Sequence, residues 1–417
     1  MSSPLPILII GAGPSGLLLA LLLARHQIPV IILEQARGLN PQPRASHYTA
    51  ESCIEFDRAG ILDDVQAGGF FPDGVSWRRL DANYARLIKI DNPVNDKNRY
   101  RMVCLPLHRL GTILEKHLKS EQSAEVRYGQ KAVEIGSPEE EEDPWVLVEK
   151  EDGTREKVAG RYVVGCDGAQ STIRKRLFGE DVFPGYTWDE QIVATNVYYD
   201  FESWADYDDS QFFVHPEHWH MVAKIQADGL YRVTYGEIGG LSYEELKERQ
   251  PGKFKTMLPG NPTPDKYQLV NFSPYKVHQR CVDAMRKGKY LLAADAAHLC
   301  NPFGGMGLTG GIADVGGLYD CLLGIHTGQA DDSILGKWDE VRRDIWHKVI
   351  NPISTDNLKR LYQYSGPDEA MEKDPFISTM NRIEEKLKRA NGSHDKEEQD
   401  NPGLPPLRYD MTQHYTR

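Results

Sequence analysis

Six cysteines are all that 417 residues contain, and Cys53, Cys104, Cys166, Cys281, Cys300 and Cys321 form no C-x-x-C pair and no zinc-ligand spacing. No disulfide scaffold and no metal site are expected, and the thiols read as buried groups of a reducing, cytoplasmic compartment. Basic charge is in deficit too: 49 Lys and Arg against 61 Asp and Glu leave a net charge of -12, which argues against nucleic acid as a partner. Part of that excess is local, because Glu139 to Asp143 is an acidic run that reads as a solvated loop. No Lys or Arg precedes Arg25, so the apolar opening lacks the basic start of a secretory signal. The turn Gly11-Ala12-Gly13-Pro14-Ser15-Gly16 breaks that opening short of the about 20 apolar residues of a membrane span. No internal repeat, catalytic triad or metal-ligand cluster stands out, and the one low-complexity stretch, Asn391 to Pro402, is polar and reads as a mobile segment or surface loop.

What remains is a strand, a turn, a helix and a second strand. Pro6 to Ile10 is short, continuous and β-branched, the pattern of a parallel strand buried on both faces. Leu17 to Ala24 reads as a helix apolar around most of its circumference, and Val30 to Leu33 as a strand that closes on Glu34. In such a unit Gly11 permits the tight turn, Gly13 lets the backbone approach a pyrophosphate, and Gly16 lets helix and strand pack closely. The helix start, at Ser15 and Gly16, then offers free N–H groups and partial positive charge to phosphates. Glu34, about twenty residues on, is placed to accept hydrogen bonds from a ribose. The expectation is a dinucleotide site.

Two later stretches repeat the logic. In Arg161 to Leu177 an apolar strand (Tyr162 to Cys166) leads to Asp167-Gly168 and a helix starting near Ser171, where a hairpin would have needed a returning strand. In Lys289 to Leu318 an apolar strand ends at Asp295, followed by a glycine-rich turn and a helix from about Thr309. His298 has two readings, a functional residue or a satisfied core histidine.

Taken in order, Gly11 to Gly16, Cys166 to Arg174, and Asp295-Ala296-Ala297-His298 with Pro302-Phe303-Gly304-Gly305-Met306-Gly307 resemble the three fingerprints of the single-component FAD-dependent aromatic hydroxylases, the para-hydroxybenzoate hydroxylase-like flavoprotein monooxygenases. The resemblance covers roughly Pro6 to Leu323, and more narrowly it is to fungal secondary-metabolite members. It implies that the N-terminal site holds FAD and that NAD(P)H is a co-substrate without a Rossmann unit of its own. It places Asp167 and Gly168 near the pyrophosphate and the nicotinamide path with Arg174 in support, and Asp295 on the ribitol. Pro302, Gly305, Gly307 and Leu308 fall at the flavin ring, where N–H groups of a helix start stabilise negative charge. Arg44, in Pro43-Arg44-Ala45, resembles the family arginine near the phosphates. The chain departs from the family at Leu107, where Gln or Arg is usual and where His108 or Arg109 could substitute, at Ala294 in place of Gly, and at Thr309 in place of Asn.

The fold class expected is α/β: a discontinuous Rossmann-like FAD-binding domain (residues 1–75, 100–180 and 280–330) interleaved with a β-sheet substrate domain (76–99 and 181–279). A C-terminal helical region with a polar tail (331–417) would pack on the core or form a homodimer surface. Strands are expected at Gln211–Val214, Trp219–Gln226 and Leu230–Glu237. Alternation separates Trp219, Met221 and Ala223 from His220, Val222 and Lys224, and Tyr231, Val233 and Tyr235 from Arg232 and Thr234, without saying which set meets the flavin. His220, Arg232 and Tyr235 are the candidates for orienting or deprotonating a phenol. The resemblance implies hydroxylation of a phenolic or polyketide-type ring by dioxygen through a flavin hydroperoxide. Epoxidation, oxidative decarboxylation, and oxidase or halogenase chemistry stand as alternatives, although no W-x-W-x-I-P halogenase segment is present.

Overall fold

The structure, a computed structural model, describes residues 4–42, 46–92, 99–139, 143–204, 206–390 and 405–416. Most of the acidic run after Glu139 and the polar stretch from Asn391 to Pro402 lie outside them.

Two sheets organise the chain. The first has six strands in the order Arg286–Lys287, Tyr290–Leu292, Tyr162–Gly165, Ile7–Ile10, Val30–Glu34 and Ala124–Tyr128. Every neighbouring pair is parallel except the first, so the strands preceding the three glycine-rich turns lie side by side and point the same way. Ile7–Ile10 and Tyr162–Gly165 are buried along their whole length, as apolar, β-branched runs require when helices cover both faces of a sheet. The helix Pro14–Ala24 packs between Leu107–Leu118 and Met306–Thr327. Met306–Thr327 is the one described helix long and apolar enough to cross a membrane, yet 83% of its apolar window is buried inside the protein. It is a core helix.

The second sheet has eight strands: His298–Leu299, Gln268–Cys281, Gly185–Tyr198, Leu230–Glu237, His220–Lys224, Ser210–Val214, Gly74–Arg79 and Arg86–Asp91. All neighbours are antiparallel except Ser210–Val214 with Gly74–Arg79. The third motif thus joins both sheets, since Tyr290–Leu292 belongs to the first and His298–Leu299 to the second. The inner and outer faces of the large sheet are distinct. Phe213, Val222, Val233 and Tyr235 pack beneath the helix Tyr243–Met257 in one apolar cluster, and His220 stacks on Phe213. Trp77, Phe212, Trp219 and Ile192 face the other way, together with Phe303 of the third motif and the C-terminal helices Asn351–Tyr362 and Pro375–Ala390. Beyond the described gap, residues 405–416 lie back on the first sheet's unit: the Leu407 N–H donates to Glu51, Arg408 Nε to Glu55 Oε1 at 2.8 Å, and the Tyr415 hydroxyl to the Asp320 carbonyl at 2.6 Å.

Candidate active site

The carboxyl ends of three adjacent parallel strands meet at one point, where open α/β sheets bind ligands. Gly11 has φ +104°, and a Cβ there would stand 2.5 Å from the Cys166 carbonyl oxygen, so the first two turns touch through a glycine. A Cβ on Gly16 would lie 2.1 Å from the Gly11 carbonyl oxygen, which binds helix to turn. Gly13 differs: its φ of -70° suits any residue, and a Cβ there would meet nothing within 4 Å. The helix start opens directly onto that space.

Glu34 accepts from the Ala12 N–H at 2.7 Å and the Ala36 N–H at 2.8 Å, one on each carboxylate oxygen. Each oxygen keeps a lone pair for a ribose hydroxyl. Asp167 Oδ2 accepts from the Thr172 and Ile173 N–H groups at 2.6 and 3.2 Å and so satisfies the first free N–H groups of the helix Thr172–Phe178, whose N-cap is Ser171. Its Oδ1 is buried with no hydrogen-bond partner among the described residues, and burial pushes the carboxyl's pKa up against those N–H groups. Arg174 is buried, donates to the Ala296 and Ala169 carbonyls at 3.1 and 2.8 Å, and lies 3.8 Å from the Phe183 ring centroid. It ties the second turn to the third. Asp295 is exposed on the short turn Ala294–Ala296, and Ala294 holds φ +56°, the left-handed region in which a glycine would be at ease.

Met306–Thr327 starts after Gly305, itself at φ +67° and exposed, so the first N–H groups of the helix have no intrahelical partner. Gly307 faces Cys300 and Leu308 packs on the core, with Pro302 half-buried before them. An open cradle at Gly13, two helix starts and an orphaned buried carboxylate oxygen on Asp167 fit an FAD pyrophosphate, ribitol and flavin ring.

The FAD binding domain family matches residues 4–352. The para-nitrophenol 4-monooxygenase of Pseudomonas sp. (strain WBC-3) is 35% identical over 355 residues, 84% of this chain and 86% of that protein. The chain belongs to the FAD-dependent aromatic monooxygenases. A second relative, the 6-hydroxy-3-succinoylpyridine 3-monooxygenase of Pseudomonas putida (strain DSM 28022 / S16), is 34% identical over 93% of this chain and 96% of that protein. The crystal structure of p-nitrophenol 4-monooxygenase from Pseudomonas putida DLL-E4 superposes with a TM-score of 0.82 at 31% identity, covering 95% of this chain and all of that one.

The structure draws the expected residues into one neighbourhood: Gly11 abuts the Cys166 carbonyl, Glu34 holds the Ala12 N–H, Arg174 reaches the Ala296 carbonyl next to Asp295, and the helix that follows Gly305 comes against Ser15 and Ala294 at Gly311. Arg44 lies outside the described residues. Arg109 is exposed on the first turn of Leu107–Leu118, its guanidinium near Gly68.

On the substrate side two expectations are corrected. His220 and Tyr235 are directly opposed on neighbouring strands and both point away from the third motif, under Tyr243–Met257. His220 stacks on Phe213 with ring centroids 4.2 Å apart, and burial drives its pKa down to about 3. The β alternation could not choose between faces; the choice is made by Phe303, which packs on Phe212 and Trp219. Arg232 is on the inner face, where its Nε donates to Asn196 Oδ1 at 3.0 Å.

Tyr235→Phe tests this placement. The Tyr235 hydroxyl is buried without a partner among the described residues, so its removal is expected to stabilise the protein by about 1 kcal/mol and to leave turnover unchanged. A melting curve and a steady-state assay check it, and a fall in turnover at full FAD content would return Tyr235 to the site.

The sequence also gave no warning of the buried trio behind the cofactor. Asp314 accepts from the Ala294 N–H at 2.9 Å and from Arg342 Nε at 2.6 Å, and His298 Nε2 lies 2.7 Å from it. His298 is therefore a satisfied core histidine. Asp314 and Arg342 sit on helices where charges ordinarily read as solvated, and only their 16-residue and 28-residue separations in sequence from His298 and Asp314 bridge them in the fold.

Proposed function

We propose that this monooxygenase uses NAD(P)H as reductant to hydroxylate a phenolic or hydroxy-heteroaromatic ring. The observation that carries this reading is the inner face of the large sheet, where an aromatic core (Trp77, Phe212, Trp219 and Phe303), closed over by the C-terminal helices, gives way along the strands to Arg232, Asn196 and Thr234. An apolar wall with a few convergent polar groups suits a flat ring bearing one polar substituent. The relatives named for a nitrophenol and a hydroxypyridine support the same class. The cofactor, when bound and reduced, supplies the electrophilic oxygen derived from dioxygen.

The chain's own part is orientation, electrostatics and exclusion of water. The N–H groups at the start of Met306–Thr327 stabilise negative charge nearby, and the Asp167 and Arg174 cluster keeps the second and third turns in register. Segments 1–75, 100–180 and 280–330 act as the cofactor unit and 76–99 with 181–279 as the substrate unit. Beyond the three turns assigned to FAD, no further glycine-rich strand-turn-helix among the described residues is left for NAD(P)H, which accords with brief binding.

Turnover under isotopically heavy dioxygen tests the reading. A phenol that stimulates NAD(P)H oxidation is expected to gain a single labelled oxygen atom, the other leaving as water. Unlabelled product with hydrogen peroxide equal to the NAD(P)H consumed overturns it in favour of an oxidase, and halogenated product in the presence of chloride or bromide overturns it in favour of a halogenase.

A further inference from the structure

Residues 405–416 enter no sheet, and the one helix among them is the single turn Met411–His414. They follow the helix Met306–Thr327 from its start toward its end. Leu407 is buried in one cluster with Met306 and Ala313, Met411 meets Gly317, and the Tyr415 ring meets Gly324. Gly317 and Gly324 are two turns apart, about 10.5 Å along one face of that helix. A Cβ on Gly324 would lie 2.6 Å from the Tyr415 ring, so glycine keeps the bed clear for this strap. Beyond the helix the Thr416 N–H donates to the Gln329 carbonyl at 2.9 Å.

Charge favours the docked state. Glu55 and Asp320 are buried, and Arg58 bonds both of them. Arg408 of the strap adds a second guanidinium at Glu55, and Leu407 brings its N–H to Glu51. At the other end of the bed the strap reaches the cofactor through a chain of bonds. The Leu407 carbonyl accepts from Arg342 Nη1, while Arg342 Nε donates to Asp314 Oδ1 at 2.6 Å and Nη2 to the Gly310 carbonyl at 3.2 Å. Asp314 in turn accepts from the Ala294 N–H at 2.9 Å, beside Asp295, the residue expected on the ribitol. Gly310 lies in the second turn of the helix whose start fits the flavin ring.

We propose that residues 405–416 are a detachable clasp on the cofactor: docked along Met306–Thr327 they slow the escape of FAD, and they open while the rest of the fold stays closed. A segment held by side chains and a few backbone bonds opens locally at far lower cost than a strand inside a sheet. Docked, it fixes Arg342 and, through Asp314, the turn at Ala294. Undocked, it lets water reach the Arg342–Asp314 pair, which weakens their attraction. The coupling is reciprocal: by the factor that docking tightens FAD, FAD tightens docking. The clasp needs the FAD site and no particular substrate.

FAD release tests this without turnover. Holoenzyme is diluted and the return of free-flavin fluorescence is timed. Gly324→Val stands about 27 Å along the helix from Met306, and valine suits a helix better than glycine does. It is expected to displace Tyr415 and speed FAD release about tenfold. Arg408→Glu, a like charge against Glu55, is expected to do the same from the strap's side. A chain ending at residue 404 is expected to release FAD fastest, and a synthetic peptide of residues 405–417 to restore slow release saturably. In every variant the far-UV circular dichroism is expected to survive the loss of FAD, and the chain to take FAD up again. In the wild type, amide exchange at Leu407 to Thr416 is expected to be about tenfold slower with FAD than without. Release at the wild-type rate in either point variant overturns the proposal, as does equal exchange with and without FAD. Release that coincides with loss of circular dichroism also overturns it, because the strap is then an ordinary part of the fold. Should the shortened chain not fold, the two point variants decide.

Discussion

Gly13→Val is expected to purify folded and colourless. The position already has the extended dihedrals that valine prefers, φ -70° and ψ 174°, and a Cβ there would touch no protein atom within 4 Å. The fold therefore has no reason to object. What the branched side chain fills is the space in front of the helix start, where the backbone must approach the pyrophosphate. A loss of about 2.7 kcal/mol or more, roughly a hundredfold in FAD affinity, is expected, read as FAD released per mole on denaturation. Gly16→Ala makes the contrast, because its Cβ would stand 2.1 Å from a backbone oxygen that cannot swing aside. That variant is expected to lose about 3 kcal/mol of stability, with FAD loss only as a consequence. Wild-type FAD content in Gly13→Val would remove the first turn from the cofactor site.

Asp314→Ala is expected to cost about 3 to 5 kcal/mol in urea unfolding, the range for breaking a buried ion pair from one side. The substitution leaves the Arg342 guanidinium, 1% exposed, without its carboxylate, and leaves the Ala294 N–H with no acceptor. Arg342 still has the Gly310 and Leu407 carbonyls, which set a floor on the damage. Burial would raise the Asp314 pKa, but His298 and Arg342 outweigh it and hold the carboxyl down to about 2. Its contribution is therefore complete above about pH 4, the ordinary aspartate value, and disappears as pH falls toward 2. Acid unfolding of the wild type is expected to steepen in that window, and the steepening to vanish in Asp314→Ala. An unchanged acid profile would show that the carboxylate carries no net stability.

The strand-turn-helix geometry of the candidate cofactor site was legible from the sequence because its residues are local. Gly11, Gly13 and Gly16 act through spacings of a few residues, and Ser171 announces a helix that it does cap, accepting from the Arg174 N–H at 3.0 Å. The substrate half depends on which way a sheet faces, and alternation alone is symmetric between faces. His220 and Tyr235 were assigned on residue type, whereas the face was decided by Phe303 from a distant turn. The strands Gly185–Tyr198 and Gln268–Cys281 were also missed. Each is 14 residues long, and their pairing slips between Thr187 and Gln191, which interrupts the alternation that would have revealed them.

The strand order carries a consequence for how the protein is made. Ile7–Ile10 leaves the ribosome before either of its two neighbours, of which Tyr162–Gly165 is some 150 residues behind it, and the next strand out, Tyr290–Leu292, is synthesised far later. Residues 405–416, made later still, close over Glu51 and Glu55 through Leu407 and Arg408. The first sheet cannot be completed until Tyr290–Leu292 has emerged, so the early strands wait for distant partners and loop closure dominates the rate of assembly. FAD capture belongs to the end of that sequence. Free cofactor in the medium during refolding would therefore raise the final yield by trapping the closed state while leaving the slow, topology-limited phase unchanged.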